Sequence, residues 1–365
     1  MGEGKPLIRI SKRKDLSRRQ AIIIRLLAVA LALITTGVFI LILGHNPVDV
    51  FSAMLTGAFG SWYGMKETFI QAIPLVIISL GIAIAFKMKF WNIGAEGQML
   101  MGAFTASIAA YSMPHLSPFL LLPIMAVAGA IGGGLWALVP AFFKAQFGTN
   151  ETIFTLMMNY IAQKWIFYLQ YSLWKDPAAH GFPKIANYSD NAILPKLFGI
   201  HIGWIVALVL VAVMYVFFRH SKKGYEIAVI GESENTARYA GMNVKKIILV
   251  SILISGAFCG LAGMIQTSGI SYTLSVDVSG GVGFTAIITT WLGQLSAPII
   301  LVVSILFAAL VQGGAYIQTV FQIPQAAASI LQGMILFFVL GSEFFLQYKI
   351  SRRKDETLTP AKEVA

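Results

Sequence analysis

The sequence is poor in charge and in cysteine. Charged residues make up only 12% of its 365 residues, whereas hydrophobic residues make up 57% and the mean hydropathy is +0.75. A soluble globular protein does not have so apolar a composition. The single cysteine, Cys259, excludes a disulfide within the chain, and its apolar surroundings predict an inert buried thiol. We therefore predict a polytopic membrane protein.

Several catalytic signatures are also missing from the sequence. It contains no Gly-x-x-x-x-Gly-Lys-Ser/Thr segment, and the glycine-rich stretch at 280–283 is not followed by the residues that hold phosphate and magnesium. The five histidines are dispersed along the chain, without the spacing of a metal site or a catalytic triad. We therefore expect no bound cofactor and no metal, and an enzyme is the least favoured alternative.

The net charge of +11 raises the question of a nucleic-acid partner. The basic residues, however, lie between the apolar runs instead of along an amphipathic face, so nucleic-acid binding is not expected. All but five of the 27 Lys and Arg residues fall within residues 1–25, 87–89, 144, 219–246 and 349–362. The five exceptions are Lys66, Lys164, Lys175, Lys184 and Lys196.

Ten apolar runs are long enough, or nearly long enough, to be membrane helices. They lie near residues 21–43, 69–86, 98–113, 119–143, 153–173, 203–218, 247–267, 282–294, 298–317 and 324–346. The third and eighth are short and adjoin glycine-containing breaks, which predicts broken or re-entrant helices. An even number of spans places both termini on one side, and the basic residues indicate that this side is cytoplasmic.

This pattern predicts an all-α fold with about ten transmembrane helices. A basic cytoplasmic segment at 1–20 and a cytoplasmic tail at 349–365 would flank a transmembrane domain at 21–348. Two loops are long, an external loop at about 174–203 and a cytoplasmic loop at 219–246. The external loop is either an irregular surface loop or a docking surface for a delivery protein.

A short helix is predicted at 232–240 in the cytoplasmic loop. It has acidic residues at its start, which suit the helix dipole, two alanines on one ridge, and a glycine stop. These residues are Glu232, Glu234, Ala237, Ala240 and Gly241. The residues alone leave two interpretations open, a solvated connecting helix or a small knob that fits a groove in a partner.

Two acid-containing breaks, at 91–98 and 148–152, interrupt the apolar runs. Irregular backbone at membrane depth is tolerated only where protein or a water-filled path solvates it, so the breaks favour a solute route. A buried acid at a helix centre costs about 2.5 to 3.5 kcal/mol, so Glu96 and Glu151 need either partners or a position near the cytoplasmic interface. Each acid either caps a helix start, pairs with a nearby lysine, or lines the route.

Amide and aromatic side chains accompany these breaks. An amide on a spanning helix more often bonds to another helix than to a ligand. The residues predicted to bind substrate or to line its path are Asn92, Glu96, Gln98, Asn150, Glu151, Asn159, Trp291 and Gln294. Two glycine pairs four apart are predicted to permit close helix packing: Gly129 with Gly133, and Gly256 with Gly260.

Several segments resemble the membrane permease subunits of bacterial ABC importers for simple sugars, nucleosides and branched-chain amino acids, and the nucleoside permeases most closely. The resemblance extends from the second predicted span to the tenth. It rests on residues 92–98, 148–151, 156–161, 237–241 and 281–287, with Gly293. It implies inward transport of nucleosides by two permeases, two ATPase subunits and an external binding protein or lipoprotein.

The resemblance also implies that a separate subunit hydrolyses ATP. It further implies that the helix at 232–240, including Arg238 and Tyr239, couples that subunit to this chain. It implies a second permease, which the long basic N-terminus and large external loop suggest is a non-identical homologue, and a location in the bacterial cytoplasmic membrane. Two alternatives stay open. One is the same machine carrying a simple sugar, an autoinducer-like sugar or a branched-chain amino acid. The other is a proton-coupled secondary carrier with Glu96 or Glu151 as relay.

Overall fold

The computed structural model describes residues 8–12 and 17–352, and this part of the chain is mostly helical. The first seven helices are α1 (Arg18–Ile42), α2 (Pro47–Phe59), α3 (Trp62–Lys87), α4 (Ala95–Ser112), α5 (Pro118–Phe147), α6 (Glu151–Tyr168) and α7 (Gly203–His220). The others are α8 (Lys222–Glu232), α9 (Glu234–Tyr239), α10 (Val244–Gln266), α11 (Val282–Leu292), α12 (Ala297–Val320) and α13 (Gln325–Gln347). The described residues also form four short strands: β1 (Ile8–Lys12), β2 (Lys196–Leu197), β3 (Ile200–His201) and β4 (Tyr348–Arg352).

Every predicted membrane run contains a helix. By length and composition, seven helices in the described part can cross a membrane: α1, α3, α5, α7, α10, α12 and α13. Three of the ten predicted membrane runs remain, and they contain α4, α6 and α11. Helices α4 and α6 each begin with an acid-containing polar turn, and α11 has only 11 residues. The prediction of an all-α polytopic membrane protein is confirmed, whereas the total of ten crossings stays a prediction.

Two helices were not predicted. Helix α2 begins at Pro47, whose fixed φ suits a first turn, and it lies between the first two predicted spans. Helix α8 fills the first part of the cytoplasmic loop. The predicted helix at 232–240 is divided because Ser233 is extended and caps α9, its hydroxyl accepting the Thr236 N–H at 3.2 Å.

The described residues form two compact units. One comprises the described residues up to Ala53 together with those from Ile317 onward. In this unit α1 packs against α13, and β1 pairs antiparallel with β4. The segments before the first helix and after the last helix therefore lie side by side, which is compatible with an even number of crossings.

The other unit, Met54–Tyr316, is built around α10, which packs against α3, α4 and α5. Helix α3 is apolar all round and is buried on nearly every side along its second half. The predicted glycine packing is confirmed. A Cβ at Gly260 would overlap the carbonyl oxygen of Gly129, and one at Gly133 would overlap that of Gly256. These glycines let α5 and α10 cross with their backbones in contact.

Part of the predicted external loop is anchored to the helices, although about half of its residues are exposed. Its Tyr188 is buried and donates its N–H to the Tyr272 carbonyl at 2.8 Å, while its hydroxyl lies 2.5 Å from that of Ser107 on α4. The Leu194 N–H is donated to the Ser268 carbonyl at 3.0 Å. Burial raises the pKa of the Tyr188 hydroxyl.

Candidate functional site

The first break is held together by its own buried amides. Asn92 and Gln98 exchange two side-chain hydrogen bonds, from Asn92 Nδ2 to Gln98 Oε1 at 3.1 Å and from Gln98 Nε2 to Asn92 Oδ1 at 2.9 Å. Asn92 Oδ1 also accepts the Gly94 N–H at 3.0 Å, and Asn92 Nδ2 lies 3.4 Å from Ser255 Oγ. Because Ser255 is near the middle of α10, the break lies at the depth of that helix's centre.

Helix α6 supplies the remaining partners of this break. Asn159 Oδ1 accepts the Gly97 N–H at 2.8 Å, and Asn159 Nδ2 donates to the Ile93 carbonyl at 2.8 Å. The Ile93 N–H is donated to Thr155 Oγ1 at 3.2 Å. One amide side chain therefore satisfies two backbone groups that a membrane interior would otherwise leave without partners.

Glu96 joins the start of α4 to the start of α11. Its Oε1 accepts the Gly281 N–H at 2.9 Å and its Oε2 accepts the Gly283 N–H at 2.7 Å, and the residue is only 8% exposed. Both helices direct the positive ends of their dipoles towards this carboxylate. Gly283 is required for the approach, since a Cβ there would lie 2.6 Å from Glu96 Oε2.

A lysine partner was one of the interpretations considered for Glu96, and it is wrong. The carboxylate forms no ion pair with any residue that the structure describes and bonds to backbone N–H groups instead. For Glu151 the same interpretation is confirmed, because Lys144 Nζ lies 2.7 Å from its Oε2. Asn150 caps α6 by accepting the Thr152 N–H at 3.0 Å.

The other predicted path residues, Trp291 and Gln294, lie at the far end of α11. Trp291 stacks on Trp91, with ring centroids 5.5 Å apart and planes at 27°, and Phe86 lies 5.6 Å from Trp291. An 11-residue helix is about 16 Å long, so Trp291 and the partners of Glu96 lie near opposite ends of α11. Trp91 directly precedes Asn92, so the aromatic cluster adjoins the amides of the first break. The predicted site residues thus form two adjoining groups.

A third group of residues, on α6, was not predicted as a group from the sequence. Five exposed residues share one stripe of α6 and its π-helical extension, Leu169–Leu173. They are Tyr160, Gln163, Lys164, Phe167 and Tyr171, here called the α6 stripe. The rings of Phe167 and Tyr171 stack at 4.1 Å, and Lys164 Nζ lies 5.6 Å from the Phe167 ring. The available signal was Lys164, a cation inside a predicted span that cannot face lipid cheaply.

Helix α9 presents a different surface from the predicted alanine ridge. Ala237 is completely buried, whereas Tyr239 is 93% exposed and Glu234 pairs with Arg238 at 2.6 Å on the surface. The prediction that Ala237 and Ala240 form an exposed ridge is therefore wrong. Glu232 ends α8 and does not begin α9.

The predicted glycine stop is confirmed. Gly241 has φ of +75°, a left-handed conformation that favours glycine. Its N–H is donated to the Arg238 carbonyl at 3.0 Å, and the Met242 N–H is donated to the Ala237 carbonyl at 3.0 Å. This pair of bonds closes the C-terminus of α9 as a Schellman motif.

His201, which lies just before the start of α7, is buried. Neither ring nitrogen of His201 has a hydrogen-bond partner among the described residues, and a Cβ at Gly269 would lie 2.8 Å from the ring. Burial, assisted by the positive charge of Lys196, lowers the pKa of His201 to about 4. The ring is therefore neutral at physiological pH.

A bundle of apolar helices, in which two short helices meet end to end at a polar and glycine-rich point, defines a membrane transport permease. The chain belongs to the family described as "Branched-chain amino acid transport system / permease component", whose family model matches residues 64–340. It is a permease subunit of an ABC importer and a multi-pass membrane protein.

Three relatives span nearly the whole chain. The chain is 33% identical over 340 residues to the glucose ABC transporter permease protein TsgB13 of Haloferax volcanii, covering 89% of this chain and 88% of that protein. It is 32% identical over 334 residues to the guanosine ABC transporter permease protein NupP of Bacillus subtilis, covering 89% and 94%. It is 26% identical over 359 residues to the nucleoside ABC transporter permease protein NupB of Lactococcus lactis, covering 93% and 95%. All three are transport components.

Proposed function

We propose that this permease carries nucleosides into the cell, driven by a separate ATPase subunit that hydrolyses ATP. The observation that carries the proposal is the α6 stripe, which sets a cation, an amide and aromatic rings on an exposed helix face beside the polar break. A charged side chain in a span faces water or protein, not lipid. We assign the stripe to the wall of a polar passage.

The residues predicted from the sequence divide into two roles along that passage. Asn92, Glu96, Gln98 and Asn159 already bond to protein groups, so we assign them to the fixed wall that holds the two broken helices. Asn150 with Glu151 fixes the start of α6 in the same way. Trp291 and Gln294, with the aromatic cluster, form a second part of the wall at the other end of α11.

The α6 stripe suits a nucleoside because the two have complementary chemistry. A neutral nucleoside needs hydrogen-bond partners for its base edge and ribose, together with an aromatic surface for the base face. Gln163 and Tyr160 offer the first, and the stacked rings of Phe167 and Tyr171 offer the second. Two of the three relatives are named for guanosine or nucleosides.

A simple sugar is the second candidate solute. The similarity to a glucose permease at 33% identity favours it, and ribose and glucose present similar hydroxyl groups. Uptake of labelled guanosine and labelled glucose, in cells with and without this chain, separates the two. Loss of guanosine uptake alone on deletion supports the proposal, whereas loss of glucose uptake alone contradicts it.

The stripe itself is tested in the same uptake assay. Gln163→Ala is expected to raise the apparent KM for guanosine about two- to tenfold, because a lost hydrogen bond to a neutral partner costs about 0.5 to 1.5 kcal/mol. Ile161→Ala removes an exposed apolar side chain from the same helix and is the matched control. Equal KM values for the two variants would contradict the assignment.

The remaining parts of the machine are also proposed. Helix α9 is expected to contact the ATPase subunit through Tyr239, and a second, non-identical permease and an external binding protein or lipoprotein complete the assembly. The basic residues and the pairing of β1 with β4 support a cytoplasmic-membrane location with both termini in the cytoplasm. Nucleoside uptake by the purified chain alone, under an imposed proton gradient without ATP, would support a secondary carrier instead.

A further inference from the structure

A cavity of about 630 Å³ lies where α7, α8 and α10 meet, beside the turn that follows α9. Its lining includes apolar side chains, among them Phe217, Val250 and Ile254, here called the apolar wall. It also includes three lysines, Lys222, Lys223 and Lys246, and the acidic Glu226. A volume of this size is typical of small-ligand sites, so the cavity can hold more than water.

The basic and apolar groups follow each other along one helix face. Lys246, Val250 and Ile254 are spaced four residues apart on α10, so their side chains lie one above the other. The lysine is in the first turn, whereas the two apolar residues lie deeper in the spanning helix. The surface therefore changes from cationic to apolar in the direction that enters the membrane.

The cavity has two cationic groups without acidic partners. Glu226 is buried and pairs with Lys223 at 2.7 Å, so these two charges compensate each other. Lys222 and Lys246 are exposed and form no ion pair with any residue in the described part of the chain. Two positive charges are thus available to an anion, directly beside an apolar wall.

We propose that this cavity binds one anionic phospholipid of the adjacent leaflet. Its phosphate group lies between Lys222 and Lys246, and an acyl chain lies along Phe217, Val250 and Ile254. Basic pockets between membrane helices at the bilayer surface recognise acidic headgroups in this way. A free anion would bind the lysines but has no apolar part to contact Phe217, Val250 and Ile254.

The lipid would contact the part of the chain that follows α9. Ala240 and Gly241, in the turn that closes this helix, also line the cavity. An occupied cavity therefore supports the turn from which Tyr239 projects. With the proposed orientation, the adjacent leaflet is the cytoplasmic one. Lipid binding itself depends on neither this orientation nor the proposed transport function.

Lipid binding is measured on the purified full chain in detergent by native mass spectrometry. We expect retention of phosphatidylglycerol in preference to phosphatidylcholine with the same acyl chains. The Lys222→Gln/Lys246→Gln variant is expected to weaken phosphatidylglycerol binding about 30-fold, since each lysine near an anionic lipid contributes about fivefold. Lys245→Gln is the matched control, because Lys245 is in the same turn but donates to Gln146 at 2.7 Å and does not line the cavity.

Three results would overturn the proposal. These are equal retention of the two lipids, equal weakening by Lys245→Gln and by the double variant, and binding of glycerol phosphate as tight as that of the intact lipid. A second variant, Ile254→Asn, tests the apolar wall and is expected to weaken phosphatidylglycerol binding without changing its preference over phosphatidylcholine. Because no ATPase subunit or solute enters this assay, its failure leaves the proposed transport function untouched.

Discussion

Removing the Glu96 carboxylate tests the junction between α4 and α11. Glu96→Ala eliminates two hydrogen bonds to a charged acceptor, of 2.9 and 2.7 Å, and leaves the Gly281 and Gly283 N–H groups without a partner. At about 1.5 to 3 kcal/mol for each such bond, the expected loss is about 3 to 6 kcal/mol. Glu96→Gln keeps one acceptor oxygen, so about half of that loss is expected.

The assay is thermal unfolding of the purified chain in detergent, followed by intrinsic fluorescence. At about 2 °C per kcal/mol for a large domain, Glu96→Ala should lower the midpoint by roughly 6 to 12 °C, with Glu96→Gln between it and the wild type. Glu234→Gln is the control, because its exposed pair with Arg238 contributes at most about 0.5 kcal/mol. If Glu96→Gln abolished uptake at an unchanged midpoint, the carboxylate would be a proton relay and the capping argument would be refuted.

Three further predictions concern other parts of the fold. Tyr239→Ala should remove the stimulation of the partner's ATPase by solute without changing the unfolding midpoint, and unchanged stimulation would exclude α9 as the coupling element. Ala237→Glu should instead destabilise the loop, because Ala237 is buried. Gly260→Ala should prevent stable folding in detergent, whereas Gly333→Ala, which meets no atom within 4 Å, should be neutral or slightly stabilising. Burial holds the pKa of His201 at about 4, against about 6.5 when unfolded, so its contribution to stability is complete above pH 6.5 and falls by about 3 kcal/mol as the pH drops towards 4. A midpoint that falls equally with pH in His201→Gln would show that another group is responsible.

The sequence was a good guide wherever a local pattern has one physical meaning. Apolar runs of the right length predict spanning helices because the bilayer fixes the length of a helix that crosses it. Close packing at Gly129, Gly133, Gly256 and Gly260 was predictable because small residues four apart have one common use in membranes, whereas the contact between the two pairs was not predicted. Gly241 ends α9 as expected, since its left-handed conformation excludes most other residues. Helix α8 was missed because its polar residues are typical of a loop.

The sequence by itself determined the class of this protein and the composition of its polar breaks. Only the tertiary structure decided what those polar groups do. Asn92, Glu96 and Asn159 have the same local sequence whether they bind a solute or another helix. Apart from Gly94 and Gln98, which bond to Asn92, their partners are 62 to 187 residues away along the chain. Pairing at such distances depends on how the helices pack, because a buried polar group bonds to whichever donor or acceptor that packing brings within reach. The same packing buries Ala237 and exposes Tyr239, a choice that the short amphipathic pattern of the loop leaves open.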